Sequence, residues 1–305
     1  MPNSRGELSS HITDHLRTIA TVVDRYPTAT IGGLSALILQ NVPVPVVPSQ
    51  VSVFIPGRDG HSIKNLVNFR SSERCPFSRS WRIVASPTGS VVTCTDIVSS
   101  TFDALRWDIR ELGTAVELID SAANVRGTDI ASFRRTYDKQ CDADSRYRRR
   151  YIDRALELSC SRVQSIRETK LRLRLYELGY PAPLVQPWVY DRINQKMGEC
   201  DLFYPQWRTD IEYDGQGKFH GEFGIDPIVA VNKHRRRSDR MASNGIWMNH
   251  VDYQSFANDL WVRDLDEAKN RKVEPFPSSR MKFVQRAWPE KFDTHPQWRW
   301  KLWQN

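Results

Sequence analysis

Asp201, Glu212, Asp214 and Lys218 are residue types that can hold a divalent cation beside a phosphate. Asp201 lies in Glu199-Cys200-Asp201-Leu202-Phe203-Tyr204-Pro205. Glu212 follows eleven residues later, in Ile211-Glu212-Tyr213-Asp214-Gly215. Side chains alternate across a strand, so Glu212 and Asp214 face one way, Ile211 and Tyr213 the other. Two carboxylates on one face of a central strand are costly unless a positive charge sits between them. Mg²⁺, or Mn²⁺, held by oxygen ligands is the usual solution; it activates water and stabilises charge building on a phosphate. Gly215 breaks the strand where a substrate backbone would approach. Lys218 can set an ammonium beside the same phosphate, His220 can act there as base or proton donor, and Glu168 can add a carboxylate from a preceding helix. The plainer reading, acids paired with the many arginines of this chain, stands beside this one.

The elements that must position these groups read as α-β-β-β-α-β-α. A helix from about Ser159 to Leu178 stops at Gly179, with Pro181 and Pro183 behind it. Strands follow at Leu184–Tyr190, Gly198–Tyr204 and Arg208–Tyr213. Next come a basic helix from about Pro227 to Ser243, a strand Ile246–Val251 and a helix Tyr253–Asn270. Upstream, Leu8, Ile12, Leu16, Ile19 and Val23 form the stripe of an amphipathic helix closed by Pro27. A short helix at Ile31–Leu39 and strands near Val51–Ile55, Ile63–Phe69, Trp81–Ala85 and Val91–Cys94 are predicted. Helical patterns then cover Ile97–Ser121, with Ser99-Ser100-Thr101 as the cap, and Thr128–Leu158. The domain reading is an α+β domain over 1–125, a helical connector over 126–158, a second domain over 159–270 and a Trp-rich tail over 271–305.

With 44 Lys+Arg against 36 Asp+Glu, the net charge is +8, which favours polyanionic partners. Lys233, Arg235, Arg236, Arg237 and Arg240 crowd the helix after the acidic strand; each could neutralise a phosphate, or they form a solvated helix face. The five cysteines are scattered and lack a C-x-x-C pair, against a disulfide framework or thiolate zinc site. No signal-peptide pattern and no apolar run of membrane-spanning length is read, so a cytoplasmic setting is expected. Trp288, Trp298, Trp300 and Trp303 sit among cations in the tail. They either stack on unpaired bases or, the favoured reading, pack the tail onto the protein or a dimer partner.

Asp201, Asp210-Ile211-Glu212-Tyr213-Asp214-Gly215 and Lys218-Phe219 resemble the D…E-x-D-G-x-x-K-[YF] signature of a family of actinobacterial proteins. These carry a domain similar to the very-short-patch-repair endonucleases, within the PD-(D/E)xK, or restriction-endonuclease-like, superfamily. Ser165–Arg172 is similar to that family's S-x-x-E-[ST]-x-x-R and Gly179–Gln186 to its G-x-P-x-P-x-x-Q. Asp226-Pro227, Lys233–Arg240 and Gly245-Ile246-Trp247 resemble its D-P…K-x-R-R-x-D and L-G-W segments. Residues 20–125 are more weakly similar to AbiEi-type antitoxin proteins. The resemblance implies an α/β fold with a mixed central sheet and phosphodiester hydrolysis by a metal-dependent DNA endonuclease or nickase. It makes Asp201 with one or both of Glu212 and Asp214 the metal ligands, Lys218 the displaced lysine and Glu168 an accessory acid. The family's usual E-x-K is E-x-D here. The alternative is a non-catalytic DNA-binding regulator of antitoxin type. DNA is the expected partner, with a second copy of the chain or another protein as a further one, and no membrane.

Overall fold

The apolar stripe around Leu16, Ile19 and Val23 forms helix α1 (Arg5–Arg25), whose Ile19 and Val22 are buried. In this computed structural model, residues 5–55, 62–63, 66–70, 81–85, 91–139, 146–214, 227–294 and 302 are described. The chain divides into two compact units, Met1–Ile166 with Lys301–Asn305, and Arg167–Trp300. Both are mixed α/β. No described helix is long and apolar enough to cross a membrane.

In the first unit α1 is followed by β1 (Thr30–Ile31), α2 (Gly33–Leu39), β2 (Val51–Phe54), β3 (Ser62–Ile63), β4 (Val67–Arg70), β5 (Trp81–Ala85) and β6 (Val91–Thr95). The strands form one mixed sheet in the order β3-β4-β2-β1-β6-β5. Its core joins Ile19 and Val22 to Ala36, Val51, Val53, Val67, Phe69 and Cys94. The segment predicted as one helix from Ile31 begins instead as a strand, because Gly32 stays extended (φ −130°, ψ 178°) and donates its N–H to the Ser52 carbonyl at 2.9 Å. The strand expected over Ile63–Phe69 is two, β3 and β4, paired antiparallel.

Helices α3 (Ile97–Trp107), α4 (Leu112–Arg126), α5 (Ile130–Asp138) and α6 (Arg146–Leu158) complete this unit. The cap expected at Ser99–Thr101 is Asp96, whose carboxylate accepts from the amides of Val98 (2.9 Å) and Ser99 (3.2 Å). The three hydroxyl residues are buried within α3, where Thr101 Oγ1 donates to the Ile97 carbonyl at 2.7 Å. The helix expected from Ser159 begins only at Ile166. Ser159 Oγ donates back to the Ala155 carbonyl at 2.7 Å and Asp120 Oδ1 accepts the Cys160 amide at 2.7 Å, so the chain leaves the helical path there.

The second unit runs α7 (Ile166–Leu178), β7 (Leu184–Val185), β8 (Trp188–Tyr190), β9 (Lys196–Glu199), β10 (Leu202–Tyr204), β11 (Thr209–Tyr213), α8 (Pro227–Ser243), β12 (Trp247–Val251), α9 (Tyr253–Ala257), α10 (Trp261–Asn270), β13 (Met281–Lys282) and α11 (Lys291–Thr294). Gly179 takes a left-handed φ of 87° and closes α7. The two strands expected over Leu184–Tyr190 and Gly198–Tyr204 are each split between sheets. β7 and β10 belong to a mixed sheet ordered β12-β11-β10-β7, β8 and β9 to an antiparallel sheet ordered β13-β8-β9. Pro187 has no N–H for a ladder and Gln186 sits at φ 49°, which turns the chain between sheets. Leu184, Val189, Met197, Cys200, Phe203, Met241, Ile246 and Phe276 form a core that both sheets share.

The closing helix expected over Tyr253–Asn270 is broken at Asp259 (φ 51°), whose carboxylate pairs with Arg174. The tail, read from the sequence only as Trp-rich, adds β13 to β8. It then buries Trp288, whose indole N–H donates to Asp293 Oδ1 at 2.9 Å and whose ring packs edge-on to Tyr176. Trp298, Trp300 and Trp303 lie outside the described residues.

Candidate metal centre

β11 is interior to its sheet, antiparallel to β10 and parallel to β12. Every residue from Thr209 to Tyr213 is buried, so the alternation read from the sequence places acids in the interior. Asp210 is 0% and Glu212 3% exposed. Helix α8 packs on β9 and β12 and sends Arg237 to these acids. Its guanidinium forms an ion pair with Glu212, lies 3.6 Å from Asp210 Oδ2 and donates to the Glu199 carbonyl. Gly198 makes room for it, since a Cβ there would stand 2.7 Å from Arg237 Nε.

The neighbouring parallel strand supplies a group that the sequence reading did not single out. Glu212 and His250 are register partners on β11 and β12. His250 Nδ1 lies 2.9 Å from Asp214 Oδ2 and 3.9 Å from Glu212 Oε2. One ligand atom from each of Glu212, Asp214 and His250 fits within 4.8 Å of the others, and this group can hold a metal ion. The signal for His250 was its place in the strand Ile246–Val251. Parallel pairing beside Arg208–Tyr213 turns that into a position next to the acids.

Asp201 is held differently. Its Oδ1 accepts from Gln186 Nε2 at 3.3 Å and its Oδ2 from the Tyr213 amide at 3.3 Å. The same Gln186 Nε2 donates to Glu168 Oε2 at 2.9 Å, so one buried carboxamide ties the helix acid to the strand acid. The expected ligand set was Asp201, Glu212 and Asp214; the close group replaces Asp201 with His250, and Gln186 is the positioning residue that was missed. Lys218 and His220 lie outside the described residues, as does the side chain of Lys233. Arg235 and Arg236 are exposed on α8. Arg237 and Arg240, expected among the phosphate contacts, are engaged within the chain instead. Arg240 binds Asp191 Oδ2 at 2.7 Å and the Lys196 carbonyl at 3.0 Å.

The electrostatics follow from this crowding. Burial, then the charge of Glu212, pushes the Asp210 carboxyl well above the usual carboxylate range, against the opposing pull of Arg237. Burial likewise raises the Cys200 thiol, aided by Asp210. The hydrogen bond that its ring N–H donates to Asp214 raises His250 against the effect of burial. Acids, an imidazole and a guanidinium thus share one face. No protein-family model matches the sequence, and no curated protein matches it significantly.

Proposed function

We propose that the second unit has a restriction-endonuclease-like core and that the chain is a metal-dependent DNA endonuclease or nickase. The observation that carries this reading is the Glu212–Asp214–His250 group on adjacent strands, with Asp201 fixed by Gln186 on the next strand. The donor set of two carboxylates and an imidazole fits a divalent cation. The imidazole favours Mn²⁺ over Mg²⁺, which prefers all-oxygen sites. A cation bound there would supply Lewis acidity and a water acidified towards neutral pH. The chain's own residues do the rest. Gln186 orients Asp201 and Glu168, Asp214 fixes the ring of His250, and the exposed Arg235 and Arg236 neutralise phosphates. Lys218 would serve as the displaced lysine.

The test is nicking or cleavage of supercoiled plasmid with Mn²⁺ or Mg²⁺. Activity should fall at least ~100-fold in Asp214→Asn and His250→Gln with the circular dichroism spectrum retained. If the wild-type protein leaves single-stranded, duplex and mismatched DNA intact with either metal, the enzyme reading fails. One observation favours the second reading, a DNA-binding regulator of antitoxin type: the Arg237 guanidinium already sits on Glu212. That reading requires DNA binding indifferent to metal and unchanged in Asp201→Ala.

A further inference from the structure

The antiparallel sheet β13-β8-β9 has a second face that the metal centre does not use. Val189, Met197 and Met281 point into the shared core. Alternation therefore puts Trp188, Tyr190 and Lys282 on the opposite face, where Lys196 is in register with Tyr190 and Lys282 with Trp188. Lys196 Nζ lies 3.2 Å from the centre of the Trp188 ring and Lys282 Nζ 4.6 Å from that of Tyr190. Phe283 packs edge-on to Trp188, with ring centres 4.6 Å apart, yet is 55% exposed. Its backbone sits at φ 57°, the left-handed region that a bulky side chain avoids. The strain holds an aromatic ring in water at the edge of a cationic face. Glu199, in register with Trp188, is an acid on this face, and Asp191 is engaged by Arg240.

The geometry points to this face as a platform for single-stranded nucleic acid, with Phe283, braced by Trp188, stacking on a base while Lys196 and Lys282 neutralise phosphates. Ring faces meet any unpaired base, whereas a paired duplex hides its base faces. An apolar protein partner would leave these cations desolvated without counter-charges. The inference deepens the nuclease reading by naming its substrate as DNA with an unpaired stretch, and its test needs no metal and no cleavage.

The measurement is fluorescence anisotropy of a labelled oligo(dT) of ~15 nucleotides with the full chain in EDTA. Wild type should bind in a salt-sensitive manner and prefer the single strand to a duplex of equal length. Phe283→Asn removes the ring but tolerates the left-handed backbone. It should raise Kd about tenfold while Tm stays equal or rises. Lys196→Glu and Lys282→Glu should each weaken binding and flatten its salt dependence. The proposal is overturned if wild type does not bind oligo(dT), or if the duplex binds as tightly. It is also overturned if Phe283→Asn lowers Tm and leaves Kd unchanged, the signature of a packing role. A nuclease that proves inactive leaves these binding outcomes to be read on their own.

Discussion

His15 and His250 occupy opposite electrostatic settings, one in each unit. His15 on α1 is 5% exposed and its Nε2 lies 3.0 Å from the Ser35 hydroxyl, a neutral partner. Burial pushes its pKa down to about 4. His250 is about one-third exposed and faces Asp214 and Glu212, and the Asp214 hydrogen bond raises it. Buried acids divide the same way. Asp120 in the first unit accepts the Cys160 amide, a structural task, whereas Asp210 and Glu212 face one another and share Arg237. In the first unit the half-buried acid Asp108 is met by the Arg70 guanidinium at 2.8 Å. On β11 like charges are massed on one face, an arrangement that serves folding badly and a cation well.

The strongest way to break this contrast is Arg237→Ala. Removing the cation takes the ion pair from the buried Glu212, so urea denaturation should report a loss of roughly 3–5 kcal/mol. Millimolar Mn²⁺ should restore part of it. No recovery with any divalent cation would make the β11 acids structural, like Asp120. Acid denaturation sharpens the comparison next. For His15 the folded pKa lies below the ordinary value of 6.5, so the unfolded chain binds the extra proton. Stability should therefore fall by about 2 kcal/mol as pH drops from 6.5 to about 5, and the isosteric neutral variant His15→Asn should lack that limb. His250 has the reverse sign. Its folded pKa is raised, so its contribution is fully present below the unfolded pKa and is lost as pH rises through the folded one. Metal competes with that proton, so the Mn²⁺-induced rise in Tm should grow with pH over this window and vanish in His250→Gln. The smallest effect belongs to Arg236→Ala on the exposed face of α8. Its stability should stay within about 0.5 kcal/mol of wild type while the salt slope of DNA binding falls by about one.

The positions of α1, β2, β5, β6, β11 and β12 were legible because their apolar residues repeat with a clear period and turn residues bound them. What was not legible depended on partners far along the chain. The break after Leu158 rests on Asp120 capturing the Cys160 amide, forty residues away, and the break at Asp259 on Arg174. The split of two strands between sheets rests on Gln186 and Pro187, which looked like interior residues of one run. At the centre, alternation correctly put Glu212 and Asp214 on one face. The third member of the group came from strand order: a parallel neighbour brings His250 alongside, which spacing along one strand cannot reveal. Arg237 looked like surface charge because a dense basic run hides which of its members points inward.

The crossing of the chain between sheets has a consequence for how such a protein can diversify. The hairpin of β8 and β9 is closed by its own turn, in which Asp191 accepts from the backbone amides of Ile193 and Gln195. Asp201 is fixed on the other side of the crossing, by Gln186 and the Tyr213 amide. Residues inserted or exchanged in the turn around Asp191–Gln195 would lengthen or reshape the hairpin without shifting the acid's register. Under the proposed nuclease reading, specificity would drift in one sheet while the acids in the other stay put, so that changing a single loop would give the same scaffold new targets.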